Sequence, residues 1–244
     1  MSEALGGRVA LVTGGSGGIG TAICRALAAE GAAVAVAYGS AADTAQSLAD
    51  ELSHMGVRAA AFAADMQDPD APEELVATVA GELGAPDVLV VNHGTATQAS
   101  YEEIDAAEFD RTLAINLRAP YLLARAALAG MRERRFGRVL FISSGAAFTG
   151  GVIGPHYAAS KAGLHGLTHF LAARVAADGV TVNAIAPGFI ATAMLPGERA
   201  DLGARVPVGR VGSPEEVADL AVAVLRNGYL TSHVLSLDGG MYPR

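Results

Sequence analysis

The chain has 244 residues, 51% of them apolar, and its 17 basic and 25 acidic side chains give a formal net charge of −8. That length and apolar share exclude a disordered chain and suit one α/β domain or two small ones, while the acidic balance, with basic residues clustered only at Arg132–Arg135, argues against a nucleic-acid partner. Cys24 is the single cysteine, which excludes a disulfide framework and a cysteine metal cluster; with no leader pattern over Met1–Gly7 and no apolar run near the ~20 residues a bilayer needs, a cytoplasmic protein without membrane partner or metal is expected.

From the N-terminus, Arg8 to Thr13 is a short apolar run that gives way to Gly14-Gly15-Ser16-Gly17-Gly18-Ile19-Gly20, and a helical pattern follows through Ile23, Leu27 and Ala28. This reads as strand, glycine turn and helix. Glycine permits positive φ and lets backbone N–H groups approach a ligand, and a helix N-terminus beyond the turn favours a phosphate. The alternation repeats: Ala33 to Ala37 is a second strand, Asp43 to His54 a helix, Ala59 to Ala63 a third strand, Asp70 to Gly84 a helix and Val88 to Asn92 a fourth strand. The unbroken apolar character of Val88 to Val91 fits a strand buried on both faces. Glu108 to Arg134 contains a long helix, Arg138 to Ile142 a fifth strand, Tyr157 to Ala177 a helix, Thr181 to Ile185 a sixth strand and Val234 to Leu237 a seventh. Ser213 and Pro214 read as the N-cap and first position of the last helix. Strands alternating with helices predict right-handed crossovers and a doubly wound parallel sheet of about seven strands with helices on both faces. No linker, repeat or low-complexity segment interrupts the pattern, so residues 1–244 are expected to form one domain.

In such sheets ligands bind outside the carboxyl ends of the strands. The polar punctuation falls there repeatedly, at Thr13 to Gly20, Gly39-Ser40, Asp65-Met66, Asn92-His93-Gly94, Ser143-Ser144-Gly145 and Pro187-Gly188. Segments distant in sequence thus converge on one edge, and that convergence points to a dinucleotide site. Tyr157 and Lys161 stand four apart, a spacing that stacks them on one helix face. A free phenol, with a pKa of roughly 10, is a poor acid-base group at neutral pH. A cation held close lowers that value and makes the phenol a usable proton donor and acceptor.

Together these residues resemble the short-chain dehydrogenase/reductase family, and within it the 3-oxoacyl-acyl-carrier-protein reductases. The resemblance rests on Thr13 to Gly20, Asn92 and Gly94, Asn116 within Ala114-Ile115-Asn116-Leu117, Ser144 thirteen residues before Tyr157, Tyr157-Ala158-Ala159-Ser160-Lys161, Val182 to Gly188 and the ending Asp238-Gly239-Gly240-Met241-Tyr242. It spans essentially the whole chain and implies a Rossmann-type sheet. It also implies that Tyr157 is the general acid, that Lys161 lowers the Tyr157 pKa and bonds the nicotinamide ribose, that Ser144 polarises the substrate carbonyl and that Asn116 anchors a water relay behind Lys161. Ser143 competes with Ser144, but the thirteen-residue spacing favours the latter. Cofactor contacts are implied at Gly14, Ser16, Gly18, Ile19, Gly20, Tyr38, Gly39, Ser40, Asp65, Met66, Asn92, Gly94, Tyr157 and Lys161, and a loop of Pro187, Gly188, Ile190 and Thr192 over the nicotinamide.

Three departures from the family pattern bear on function. His93 stands in Val91-Asn92-His93-Gly94 where the family has Asn-Asn-Ala-Gly, and reads as a packing substitution in preference to a ligand contact; the other histidines are expected on the surface or in structural bonds. The substrate lid, Ala193 to Arg205, is a few residues short, and Tyr229-Leu230-Thr231-Ser232-His233 replaces the usual Tyr-Ile-Thr-Gly-Gln or Glu. Tyr38 occupies the position where NAD-preferring members place an Asp, so NADP(H) is favoured over NAD(H), although the arginine of many NADP users is absent at Gly39. The resemblance further implies a homotetramer built on the two long helices and the last strand. It also implies docking of an acyl carrier protein through Arg135, with Asp178 a charge reversal at the second docking position and Arg174 one turn earlier as a partial substitute. A free small ketone or secondary alcohol is the alternative substrate, and a non-catalytic dinucleotide-binding protein the remote one.

Overall fold

The computed structural model describes residues 5–195 and 199–242. Seven strands form one parallel sheet: β1 (Val9–Thr13), β2 (Ala33–Tyr38), β3 (Ala59–Ala63), β4 (Val88–Val91), β5 (Gly137–Ile142), β6 (Val180–Pro187) and β7 (Val234–Leu237), in the order β3-β2-β1-β4-β5-β6-β7. The chain runs outward from β1 to one edge, returns to β4 beside β1 and then runs to the other edge. The carboxyl ends of β1 and β4 therefore flank the point where the winding reverses, the position at which such sheets open a crevice.

The apolar runs form strands because each residue has a core to enter on whichever face it points. Leu11, Leu89, Val139 and Phe141 enter one buried cluster, with Leu123 and Leu164 from helices. Their neighbours Val12, Val90, Leu140 and Ile142 enter the opposite cluster, with Ile23, Leu27 and Leu225. The expected double burial of β4 is realised at all four of its residues.

The helices are α1 (Gly18–Ala29), α2 (Ala42–His54), α3 (Ala71–Glu82), α4 (Ala106–Leu113), α5 (Ala119–Glu133), α6 (Ala146–Thr149), α7 (Pro155–Val175), α8 (Arg199–Gly203) and α9 (Pro214–Leu225). Ser213 caps α9 as expected, and the cap is a reciprocal one: the Ser213 hydroxyl accepts from the Glu216 amide at 3.3 Å, and the Glu216 carboxylate accepts from the Ser213 amide at 2.8 Å. The single long helix expected within Glu108–Arg134 is instead broken into α4 and α5 by a wider π-turn over Ala114–Arg118, with Asn116 fully buried inside it. The short helices α6 and α8 were not legible as periodic patterns. Among the described residues no helix is long and apolar enough to cross a membrane.

Candidate active site

The carboxyl ends of β1 through β6 open into a cleft of about 770 Å³. At the end of β1 the chain turns at Gly14, whose φ of +61° lies in the region that favours glycine, and the Gly17 amide closes the turn on the Gly14 carbonyl at 3.1 Å. Asn92, from the end of β4, donates through Nδ2 to the same Gly14 carbonyl at 3.0 Å, so the two central strands lock each other's loops. Gly14, Ser16, Gly18 and Ile19 line the cleft. Gly20 does not: a Cβ there would strike the Gly14 carbonyl and come within 2.8 Å of Asn92 Nδ2, so its part is to let α1 approach the turn.

Tyr38 at the end of β2 with Gly39 and Ser40 beyond it, Asp65 and Met66 beyond β3, and Asn92 and Gly94 beyond β4 continue the same wall. Pro187, Gly188, Ile190 and Thr192 lie across from them on the loop after β6. That loop comes close to the glycine turn, since a Cβ on Gly18 would meet Thr192 Cγ2 at 3.0 Å. A groove with bare backbone on one side and a loop over it fits a dinucleotide.

Ser144, Tyr157 and Lys161 line the inner part of the cleft. Tyr157 is buried, and burial raises its pKa, opposed by a hydrogen bond with the Ser144 side chain. The expected lowering by Lys161 is not found. The ammonium stands 5.9 Å from the Tyr157 ring centroid and donates to the Ile142 carbonyl at 2.9 Å, so desolvation governs the phenol. Burial also brings Lys161 itself down to about 8.

The two serines at the end of β5 divide their tasks. Ser143 donates to the Lys161 carbonyl at 3.0 Å, and its oxygen lies 2.8 Å from His165 Nε2, which straps β5 to α7 and commits the Ser143 proton. The Ser144 oxygen instead accepts from the Ala146 amide at 3.1 Å beside Tyr157. Asn116 does not line the cleft. Its side chain accepts from the Thr95 amide at 2.8 Å and donates to the Thr95 carbonyl at 2.9 Å and to Ser160 Oγ at 3.2 Å; Ser160 in turn donates to the Tyr157 carbonyl at 2.8 Å. The π-turn thus delivers an amide that holds the loop after β4 against the helix bearing Tyr157 and Lys161.

Two histidines were assigned from sequence with different success. His93 packs as expected: Nδ1 lies 2.7 Å from Thr13 Oγ1 and Nε2 lies 3.0 Å from the Ile115 carbonyl, and burial holds its pKa down at about 4. It also reaches the cleft wall. His156 contradicts the expectation of a surface or structurally bonded ring: it is fully buried and neither ring nitrogen has a hydrogen-bond partner among the described residues, Glu108 Oε1 being 3.9 Å from Nε2. Its neighbour in sequence faces the cleft, so the first turn of α7 aims His156 the other way.

Outside the cleft, Asp178 is not the uncompensated negative charge its position suggested. Its carboxylate accepts from Arg132 Nε at 2.6 Å and lies 3.8 Å from Arg135, whose guanidinium also donates to the Ala177 carbonyl at 2.7 Å. Arg174 lies over the Phe170 ring at 4.1 Å. The lid expected over Ala193 to Arg205 is seen in part, because residues 196–198 lie outside the described residues. Its visible ends supply cleft contacts that sequence reasoning did not assign, Met194, Leu195 and Arg205, together with Arg111 of α4 and the terminal Met241 and Tyr242.

The model of the family described as short chain dehydrogenase matches residues 8–203. The chain belongs to that family. Among relatives of this short-chain dehydrogenase, a 3-oxoacyl-[acyl-carrier-protein] reductase of Escherichia coli is 36% identical, covering 97% of this chain and 98% of its own. A cis-4-hydroxycyclohexanecarboxylate dehydrogenase of Sinomonas cyclohexanicum is 38% identical, covering 98% of each. Among solved structures, a blue fluorescent protein from a metagenomic library in complex with NADPH superposes with a TM-score of 0.92 at 39% identity, over 99% of this chain and 100% of that one. A 3-oxoacyl-[acyl-carrier protein] reductase from Brucella melitensis with bound NAD superposes with a TM-score of 0.91 at 32% identity, over 99% and 93%. The short-chain dehydrogenase described here is accordingly an NAD(P)-dependent oxidoreductase.

Proposed function

We propose that this short-chain dehydrogenase transfers hydride from NADPH to the keto group of a 3-oxoacyl thioester presented on an acyl carrier protein. The observation that supports it most is the Tyr157 phenol hydrogen-bonded to the Ser144 side chain in the cleft, because hydride addition creates an alkoxide that needs a proton donor and a hydrogen-bonding partner beside it. Tyr157 is the acid, Ser144 orients the substrate carbonyl, Lys161 holds its charge where the ribose hydroxyls come, and Asn116 fixes the relation between the Gly94–Thr95 loop and α7. Gly14, Ser16, Gly18 and Ile19 would hold the pyrophosphate, Tyr38, Gly39 and Ser40 the adenosine ribose, Asp65 and Met66 the adenine, and Asn92, Gly94, Lys161, Pro187, Gly188, Ile190 and Thr192 the nicotinamide half. When bound, the cofactor supplies the hydride. NADPH is favoured over NADH because Tyr38, Gly39 and Ser40 bring no carboxylate against a 2′-phosphate. Residues 1–244 serve as one cofactor-binding and catalytic domain, working in the cytoplasm as a homotetramer, and a monomer by light scattering at micromolar concentration would refute the assembly.

A second reading, a free ketone or secondary alcohol as substrate, draws on the engagement of Arg135 with Asp178, which reduces the positive charge available to an acidic carrier, and on the relative named for a hydroxycyclohexanecarboxylate. Steady-state kinetics with a 3-oxoacyl-carrier protein, the matching free thioester and simple ketones, each with NADPH and NADH, separate the two. The carrier reading expects a higher kcat/KM for the carrier-linked substrate that falls several-fold in Arg135→Glu. Equal values for carrier and free thioester, unchanged in the variant, would replace it with the small-molecule reading, and a clear NADH advantage would overturn the cofactor preference.

A further inference from the structure

Among the described residues the cleft wall carries four charged side chains, Asp65, Arg111, Lys161 and Arg205. Three are accounted for. Asp65 accepts from the Gln67 amide at 2.9 Å beyond β3, far along the nucleotide wall; Arg111 is neutralised by a two-point bond with Glu108 at 2.8 and 2.9 Å; and Lys161 belongs to the reacting centre. Arg205 differs. Its guanidinium lies 5.6 Å from the Phe189 ring centroid, and among the described residues no carboxylate pairs with it.

The position is nevertheless fixed by its backbone. The Arg205 amide donates to the Leu202 carbonyl at 3.1 Å and the Val206 amide to the Gly203 carbonyl at 3.0 Å, while Leu202 and Val206 are both buried. Phe189 is its apolar neighbour, and the same lid ends add Met194 and Leu195 to the cleft wall. A substrate that closes over this wall removes water from the guanidinium, and an ionised group stripped of water is costly unless an opposite charge meets it. A planar guanidinium is matched by a carboxylate or a phosphate, which it bonds at two points.

We infer that Arg205 is a specificity-determining contact for an anionic oxygen group, carboxylate or phosphate, carried by the ketone substrate; this rests on the ketoreductase reading above. A free keto acid would offer a carboxylate, and a phosphopantetheine or coenzyme A thioester a phosphate. The test uses two matched pairs with NADPH: acetoacetate against methyl acetoacetate, and acetoacetyl-coenzyme A against acetoacetyl-N-acetylcysteamine. In the wild type the anionic member of one pair is expected to have the higher kcat/KM, and the ratio within that pair to fall about tenfold in Arg205→Ala. Arg205→Lys, which keeps the charge, should retain part of the ratio, and Arg205→Gln, which keeps much of the stem over Phe189, should lose it. The pair that responds identifies the source, the first a carboxylate and the second a phosphate. A wild type with no preference in either pair, or a preference that survives in Arg205→Ala and Arg205→Gln, overturns the inference while leaving the ketoreductase reading intact. If no probe is turned over, the ketoreductase reading fails, and calorimetric binding of acetoacetate and of coenzyme A to the NADPH-loaded protein still decides the role of Arg205: equal affinities in wild type and Arg205→Ala overturn it.

Discussion

At the glycine turn the cleft is walled by backbone, and beyond Tyr157 by side chains. Between Thr13 and Gly20 the turn is shaped by what is missing: no Cβ at Gly18 beside Thr192, none at Gly20 against the Gly14 carbonyl, and a positive φ at Gly14. Beyond Tyr157 the wall is made by Met194, Leu195, Arg205, Met241 and Tyr242, contributed by segments that no regular element constrains. At Gly14, Gly18 and Gly20 the first end has no room for a side chain without a shift or backbone strain. The second is made of side chains outside the sheet, where substitution changes the wall without touching a strand.

The sharpest way to separate the ends is Tyr157→Phe, which removes the proton donor and leaves the glycine turn untouched. We expect kcat for ketone reduction to fall by about 10³, with NADPH binding by fluorescence titration retained; turnover at the wild-type level would sink the assignment of Tyr157. Next is Gly20→Ala, which attacks the nucleotide end through sterics alone. Its Cβ would collide with the Gly14 carbonyl and crowd Asn92, so a loss of about 2 kcal/mol in unfolding free energy is expected. A melting temperature equal to the wild type would show that the turn has slack which the packing denies.

The smallest expected effect concerns His93, at the join of the two ends. Its folded pKa, about 4, lies below the ordinary histidine value of 6.5. The unfolded chain therefore takes up this proton first, so the neutral ring's contribution is complete above about pH 6.5 and is lost as pH falls toward 4. His93→Ala should remove on the order of 1–2 kcal/mol of that acid sensitivity. Denaturant titrations of both proteins at pH 7, 5.5 and 4.5 check this, and identical pH slopes would show that the ring titrates alike folded and unfolded.

Much of the frame was readable in the chain. The β4 run Val88–Val91, the Ser213 N-cap with Pro214 behind it and the alternation of strands with helices depend on local pattern, and local pattern is what an amino-acid sequence displays. The Asn116 π-turn was readable only in part: Pro120 has no amide for the Asn116 carbonyl four residues earlier, a sign of an irregular turn, but the contacts with Thr95 and Ser160 that hold it come from elements far away in the chain. The burial of His156 was hidden for a similar reason, since a histidine next to a site residue shows nothing of which way the first turn of its helix faces.

The sequence by itself determined the doubly wound sheet, the place of the cleft at its carboxyl edge and the residue types gathered there, because periodicity, glycine spacing and capping act over a few residues. Only the tertiary structure decided the protonation and the free hydrogen-bonding capacity of those groups. Ser143 is consumed by Lys161 and His165 while Ser144 faces Tyr157; the Tyr157 phenol is raised by burial and not lowered by Lys161; Asp178 is neutralised by Arg132 and Arg135. Each of these outcomes turns on desolvation and on short distances between side chains, and such distances are set by how the helices settle on the sheet.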